Sequence, residues 1–191
     1  MSVRDRWLDE GLRVLAELGA PALRIDRLAR RLGLSKGSFY HHFDALPGYR
    51  TALLAHFERW CTLRFIETVE GAGLADPRAR IELLMDLVLA EDDGGLEAAV
   101  RAWALQDGEV HEVLRRVDAV RVTYLEGLCR ELGHGARALD TARALYLLLI
   151  GAEQVIPPLG RPDLRRLWLL VLDAAPDRAP APGAAGPPGR P

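Results

Sequence analysis

The chain of 191 residues carries 27 acidic and 25 basic side chains, 49% hydrophobic residues and two cysteines. That apolar content suits one or two folded domains and excludes a chain disordered throughout, while Cys61 and Cys129 are too few for a disulfide framework and stand in no metal-ligand spacing. The net charge of −2 is uneven: the first 50 residues hold nine basic and six acidic groups, a balance suited to presenting one end to a polyanion.

The charged start MSVRDRWLDE lacks the apolar core of a secretory signal, and no apolar run reaches membrane-spanning length. A cytoplasmic protein with no membrane partner is expected. A helix over residues 4–18 would place Trp7, Leu8, Gly11, Leu12, Leu15 and Leu18 on one side. Glycine inside a helix costs about 1 kcal/mol against alanine, so Gly11 is expected to admit another helix closely. Gly19 stops this helix, and Ala20, Pro21 and Ala22 bridge to the next element.

Residues 23–43, LRIDRLARRLGLSKGSFYHHF, read as two short helices joined by a turn. Ile25, Leu28, Ala29 and Leu32 fall at i, i+3, i+4 and i+7. Gly33 supplies a left-handed residue, Leu34 can tuck under the turn, and Ser35 is a good N-cap for a helix starting at Lys36. Phe39 and Phe43, four apart, would pin that helix to the core. Lys36, Gly37, Ser38, Tyr40, His41 and His42 are left pointing outward or sideways, an inventory of charge, hydroxyl and ring donors for phosphates and base edges in a major groove. The geometry reads as helix-turn-helix, with an ordinary solvated helical hairpin as the alternative.

The string GLSKGSFYHHF, residues 33–43, resembles the recognition-helix signature of the TetR family of bacterial transcriptional regulators. In motif terms the resemblance covers residues 7–54. It implies a three-helix N-terminal DNA-binding domain, a larger helical domain that dimerises and holds a small-molecule pocket, and repression of an operator that the ligand relieves. By position, Lys36, Gly37, Ser38, Tyr40, His41 and His42 match the family's recognition helix, and Arg24 matches a residue at the start of the preceding helix that meets phosphate. Two positions depart from the pattern. Arg24 stands where the family has Thr or Ser, removing a hydroxyl cap for which Asp26 can compensate through the helix dipole. Leu46 stands where the family often has Lys, which would hand a phosphate contact to Arg50.

Pro47 suits the first turn of a long helix over residues 47–70, whose broad apolar face could touch both head and body. Gly71 and Gly73 then make a hinge-like connector to Asp76 and Pro77. Helices are expected over residues 77–89, 96–106 and 110–132, with a turn at 91–95 and no hairpin signal, so the fold class is all-α. The expected division is a DNA-binding domain over 1–50, linked by the helix over 47–70 to a ligand-binding and dimerisation domain over 51–174. The last two helices, residues 136–155 and 163–172, are apolar on more than one face, which points to a homodimer with Leu148 and Leu170 outward. The resemblance implies the same interface. Residues 175–191, rich in Pro, Gly and Ala, are expected to be a disordered tail.

The expected effector is a small, largely apolar ligand that releases a palindromic operator; candidates for its pocket are the rings of Trp60, Trp103, Tyr124, Tyr146 and Trp168, with His56, Gln106, Glu153 and Gln154 as polar partners, and core packing is the alternative for each. Arg101 and Asp118 are expected to form an internal ion pair. The five histidines and the serines form no catalytic or metal constellation, so no enzyme, metal or cofactor is expected. A ligand-free architectural DNA-binding protein and, further off, a helical enzyme are the alternative readings.

Overall fold

The computed structural model describes residues 2–91 and 95–174, so the tail expected over 175–191 and most of the turn at 91–95 lie outside it. Every regular element among the described residues is helical. The first helix, α1, covers Val3–Leu18 and opens with a reciprocal cap in which Ser2 Oγ accepts from the Asp5 N–H and the Asp5 carboxylate accepts from the Ser2 N–H. Trp7, Leu8, Leu12 and Leu15 are buried as the spacing predicts, but Leu18 is 52% exposed because the last turn of α1 runs past its cover.

Gly11 does admit another helix. A Cβ there would lie 2.0 Å from the Tyr49 hydroxyl oxygen, and that hydroxyl donates to the Trp7 carbonyl at 2.8 Å. Two short helices follow, α2 (Ile25–Leu32) and α3 (Lys36–His42). Between them Gly33 takes φ 65°, and the Leu34 N–H reaches back to the Ala29 carbonyl, closing the helix end.

The long helix expected over residues 47–70 is present as a continuous rod with a fault in it. Its parts are α4 (Leu46–Glu58), a π-helical turn (Arg59–Leu63) and α5 (Arg64–Gly71). Then come α6 (Pro77–Ala90), α7 (Leu96–Ala104), α8 (Gly108–Glu131), α9 (Ala138–Gln154) and α10 (Arg161–Asp173). Asp76 and Asp107 cap α6 and α8 by accepting from backbone N–H groups of their first turns. Among the described residues no helix is long and apolar enough to cross a membrane.

The buried apolar residues form two clusters. One joins α1, α2, α3 and α4 to α7 and the first half of α8; the other joins α5, α6, the second half of α8, α9 and α10. On α8 the first cluster ends at Val117 and the second begins at Leu125, and on the rod the change falls just after Cys61. The π-turn and the middle of α8 therefore lie on the seam between two cores.

The last two helices do expose apolar side chains. Leu147 on α9 is 67% and Leu170 on α10 is 61% exposed. Leu148, expected to face outward with Leu170, is instead half-buried against the second cluster, one residue out of phase with the free face.

Candidate functional site

Helix α3 is held from one side only. Phe39 is fully buried, with its ring 5.3 Å from Trp7, 5.2 Å from Phe43 and 5.3 Å from Tyr49, centroid to centroid. Ser35 caps the helix by accepting from the Ser38 N–H at 3.2 Å. With the inner face so fixed, Lys36, Gly37, Tyr40 and His41 are exposed, and Ser38 and His42 lie half-buried at the edges.

Lys36 is the only lysine in the chain. Its ammonium meets the Asp26 carboxylate of α2 at 2.5 Å, so Asp26 holds Lys36 besides sitting in the first turn of α2. Both groups are well exposed, and such a pair is weak enough to yield to a phosphate. Arg24 opens α2 without any side-chain cap, as expected from the missing hydroxyl. Neither Arg24 nor Arg30 makes an ion pair with a described residue, and both side chains are exposed. Arg50 is not available in this way, contrary to expectation: it is paired with Asp107 and lies 5.0 Å over the Trp103 ring, fastening α4 to the turn before α8.

A second site lies in the body. Trp60, Tyr124, Tyr146 and Trp168, all singled out from sequence, line one cavity of about 120 Å³ together with Phe65 and Glu153. The other candidates lie elsewhere. Trp103 and Gln106 line a separate cleft between head and body beside Arg50 and Asp107. His56 faces α1, its Nε2 2.7 Å from Asp9 Oδ1, and Gln154 is exposed at the end of α9.

Sequence reading missed the polar floor of this cavity. Arg121 donates through Nε to Thr62 Oγ1 at 2.9 Å, through Nη2 to the Cys61 carbonyl at 3.2 Å, and through Nη1 and Nη2 to the Glu97 carboxylate at 3.1 and 3.0 Å. Arg101 meets Glu97 at 2.8 Å and Asp118 at 2.9 Å, as the expected internal pair. The Tyr146 hydroxyl donates to Asp118 at 2.6 Å and accepts from Arg101 at 2.7 Å. Burial pushes that phenol up, so it stays protonated and can donate. Two guanidinium groups thus face two carboxylates in a neutral network that ties the π-turn to α7, α8 and α9. A signal for it existed: Leu114, Val117, Arg121, Leu125 and Leu128, three or four residues apart, form one helical row, and a charge in a core row needs buried partners.

Arg121 has given its donors to protein groups, while Glu91 and Glu153 also line the cavity among five aromatic rings. The Arg64 guanidinium, 4.4 Å above Trp60 and 4.6 Å from Phe65, is paired with Glu91 and already uses these rings as a cation seat. Both cysteines are buried, and burial pushes the Cys61 thiol up and the Cys129 thiol up to about 11, so neither is a thiolate at neutral pH.

Residues 8–45 match the family described as bacterial regulatory proteins, tetR family. The HTH-type transcriptional regulator BetI of Burkholderia mallei (strain NCTC 10229) is 31% identical over 156 residues, 78% of this chain and 78% of that protein. The chain belongs to the TetR family. Solved structures agree in fold. A regulator from Saccharomonospora viridis in complex with choline superposes with a TM-score of 0.74 at 18% identity, covering 90% of this chain and 95% of that one. Reduced NemR of E. coli gives 0.75 at 20% identity, covering 89% and 96%. This chain is accordingly a TetR-type transcriptional regulator with an N-terminal DNA-binding helix-turn-helix and a helical body.

Proposed function

We propose that this TetR-family chain is a homodimeric repressor that holds a two-fold symmetric operator through α3 and leaves it when a small organic cation enters the body cavity. Residues 1–50 bind DNA, and residues 51–174 bind the ligand and the second subunit. Lys36 and Arg24 meet phosphates. Ser38, Tyr40, His41 and His42 face base edges, with Gly37 allowing close backbone approach. The exposed Leu147 and Leu170 support pairing through α9 and α10. The carrying observation for the ligand is the cation seat: ring faces and carboxylates beside an arginine with no donor to spare. The S. viridis relative in complex with choline, a quaternary ammonium, supports the same class. A cavity of about 120 Å³ suits a small ligand, on the scale of a 150 Å³ apolar cavity that takes benzene.

The test has a DNA arm and a ligand arm. Fluorescence anisotropy on the inverted repeat beside the gene should give tight, salt-sensitive binding, and Lys36→Ala should flatten the salt dependence. Choline should weaken that binding, whereas its neutral carbon isostere 3,3-dimethylbutan-1-ol should not. Equal effects of the two compounds would reject the cationic class, and full operator affinity in Lys36→Ala and Tyr40→Ala together would reject α3 as the reading helix. An architectural DNA-binding protein without a ligand would show no thermal stabilisation by either compound.

A further inference from the structure

We infer that Arg4 is a further DNA-binding residue, a phosphate anchor at the C-terminal end of α3 that matches Lys36 and Arg24 at its N-terminal end. The inference rests on the reading of α3 above and adds the contact that holds its far end. Seven residues make α3 about 10 Å long, and the major groove is about 12 Å wide, so a cation just beyond either end of a helix seated across the groove reaches a wall of phosphates. At the near end Lys36 is tied to Asp26 in the first turn of α2, which places it beside the start of α2, where Arg24 stands. The far end has no lysine or arginine of its own. None occurs in the sequence between Lys36 and Arg50, Leu46 opens α4, and Arg50 is committed to Asp107. The exposed Asp44, next after Phe43, adds a negative charge there.

Arg4 comes from α1 to fill that place. Its guanidinium carbon lies 5.4 Å from the centroid of the Phe43 ring. Phe43 is the residue that ends α3, and its ring is 6.3 Å from that of His42. The reciprocal cap between Ser2 and Asp5 keeps the turn that carries Arg4 helical. Contact with a ring face holds the guanidinium but uses none of its five N–H donors. Arg4 is exposed, and it has no acidic or carbonyl partner among the described residues. An arginine seated on a ring with its donors unspent is ordered for the oxygen atoms of a phosphate, which it can meet bidentately.

The experiment measures anisotropy of the full-length protein on the operator duplex across a series of NaCl concentrations. It compares the unmodified chain with Arg4→Gln, Arg4→Met and Arg4→Lys, and with Lys36→Ala as the reference for a phosphate contact from α3 itself. In Arg4→Gln and Arg4→Met the slope of log affinity against log salt should become shallower by about 0.9 per subunit, the value of one phosphate contact. Arg4→Lys, which keeps the charge, should keep the slope. The loss should be the same on the operator and on a duplex with one base pair of the half-site changed, since a backbone contact reads no sequence. Melting temperatures should agree across the Arg4 variants, because the side chain is exposed. If Arg4 only covers the Phe43 ring, Arg4→Met, which keeps an apolar cover, retains the full slope. That result, or an equal fall in Arg4→Lys, would overturn the inference, and with a shallower slope in Lys36→Ala it would leave α3 standing as the reading helix. Unchanged slopes in every variant, Lys36→Ala included, would overturn both.

Discussion

Gly11 and Tyr49 show how a single absent carbon positions the reading head. The Tyr49 hydroxyl occupies the place where a Cβ at residue 11 would stand and is anchored on the Trp7 carbonyl. Gly11→Ala should cost about 1–3 kcal/mol as overpacking, despite alanine's better helix propensity. Tyr49→Phe should cost about 1 kcal/mol for the lost hydrogen bond. The two changes made together should cost less than their sum, since removing the hydroxyl opens room for the methyl group. Urea unfolding of the four proteins checks this, and strict additivity would refute it. Gly11 was legible in the sequence because a mid-helix glycine asks for a reason. Its partner was not, since Tyr49 lies 38 residues on and only the packed fold brings it there.

At the scale of elements, the helix-turn-helix was readable because its determinants are local: Gly33, Ser35 and the Phe39 and Phe43 pair all act within a few residues. The π-turn was not. An extra residue in one turn shifts the apolar phase, so the mixed spacing of residues 53–66 reads as a broad face when it is two faces joined by a slip. The Arg50 expectation failed for a related reason: its partners Asp107 and Trp103 come from beyond α6. Burial raises the Asp107 carboxyl, but the Arg50 guanidinium and the N–H groups of Val110 and Glu109 outweigh it and hold the group below its ordinary 3.8. A carboxyl lowered by folding adds stability that is fully present above that ordinary value and is lost as pH falls through the folded one. Asp107→Ala should therefore cost a constant amount from pH 5 to 8, about 1–2 kcal/mol with the loss of the cap, and the difference should shrink below about pH 4. Asp107→Asn, which keeps a capping oxygen, should cost less. A penalty that grew on acidification would show that the joint is not held by this ionised group.

For the whole molecule, the sequence pointed to two apolar terminal helices and to the free Leu170 of α10, but misplaced the free face of α9 by one residue. Leu147→Glu and Leu170→Glu should yield folded monomer by sedimentation. Leu148→Glu should instead destabilise the body, because it puts a charge against the second cluster. Monomer from Leu148→Glu with unchanged melting, or dimer from both of the others, would reject α9 and α10 as the interface. The pocket was half legible on the same grounds. Rings on separate helices can be named from sequence, but which of them converge depends on helix crossings, and Trp103 was carried to a different cleft from Trp60.

The seam between the two apolar clusters bears on how the molecule melts. Each cluster is a candidate cooperative unit, and what joins them is α8, the rod and the Arg121 network rather than continuous apolar packing. Heating the ligand-free protein should then give a calorimetric enthalpy larger than the van't Hoff enthalpy, the mark of units that come apart separately. The cavity opens on residues of both units, Cys61 from one and Leu125 and Trp168 from the other. A molecule bound there is in contact with both halves at once, so it should do more than raise the melting temperature: it should bring the two enthalpies together, making one transition out of two.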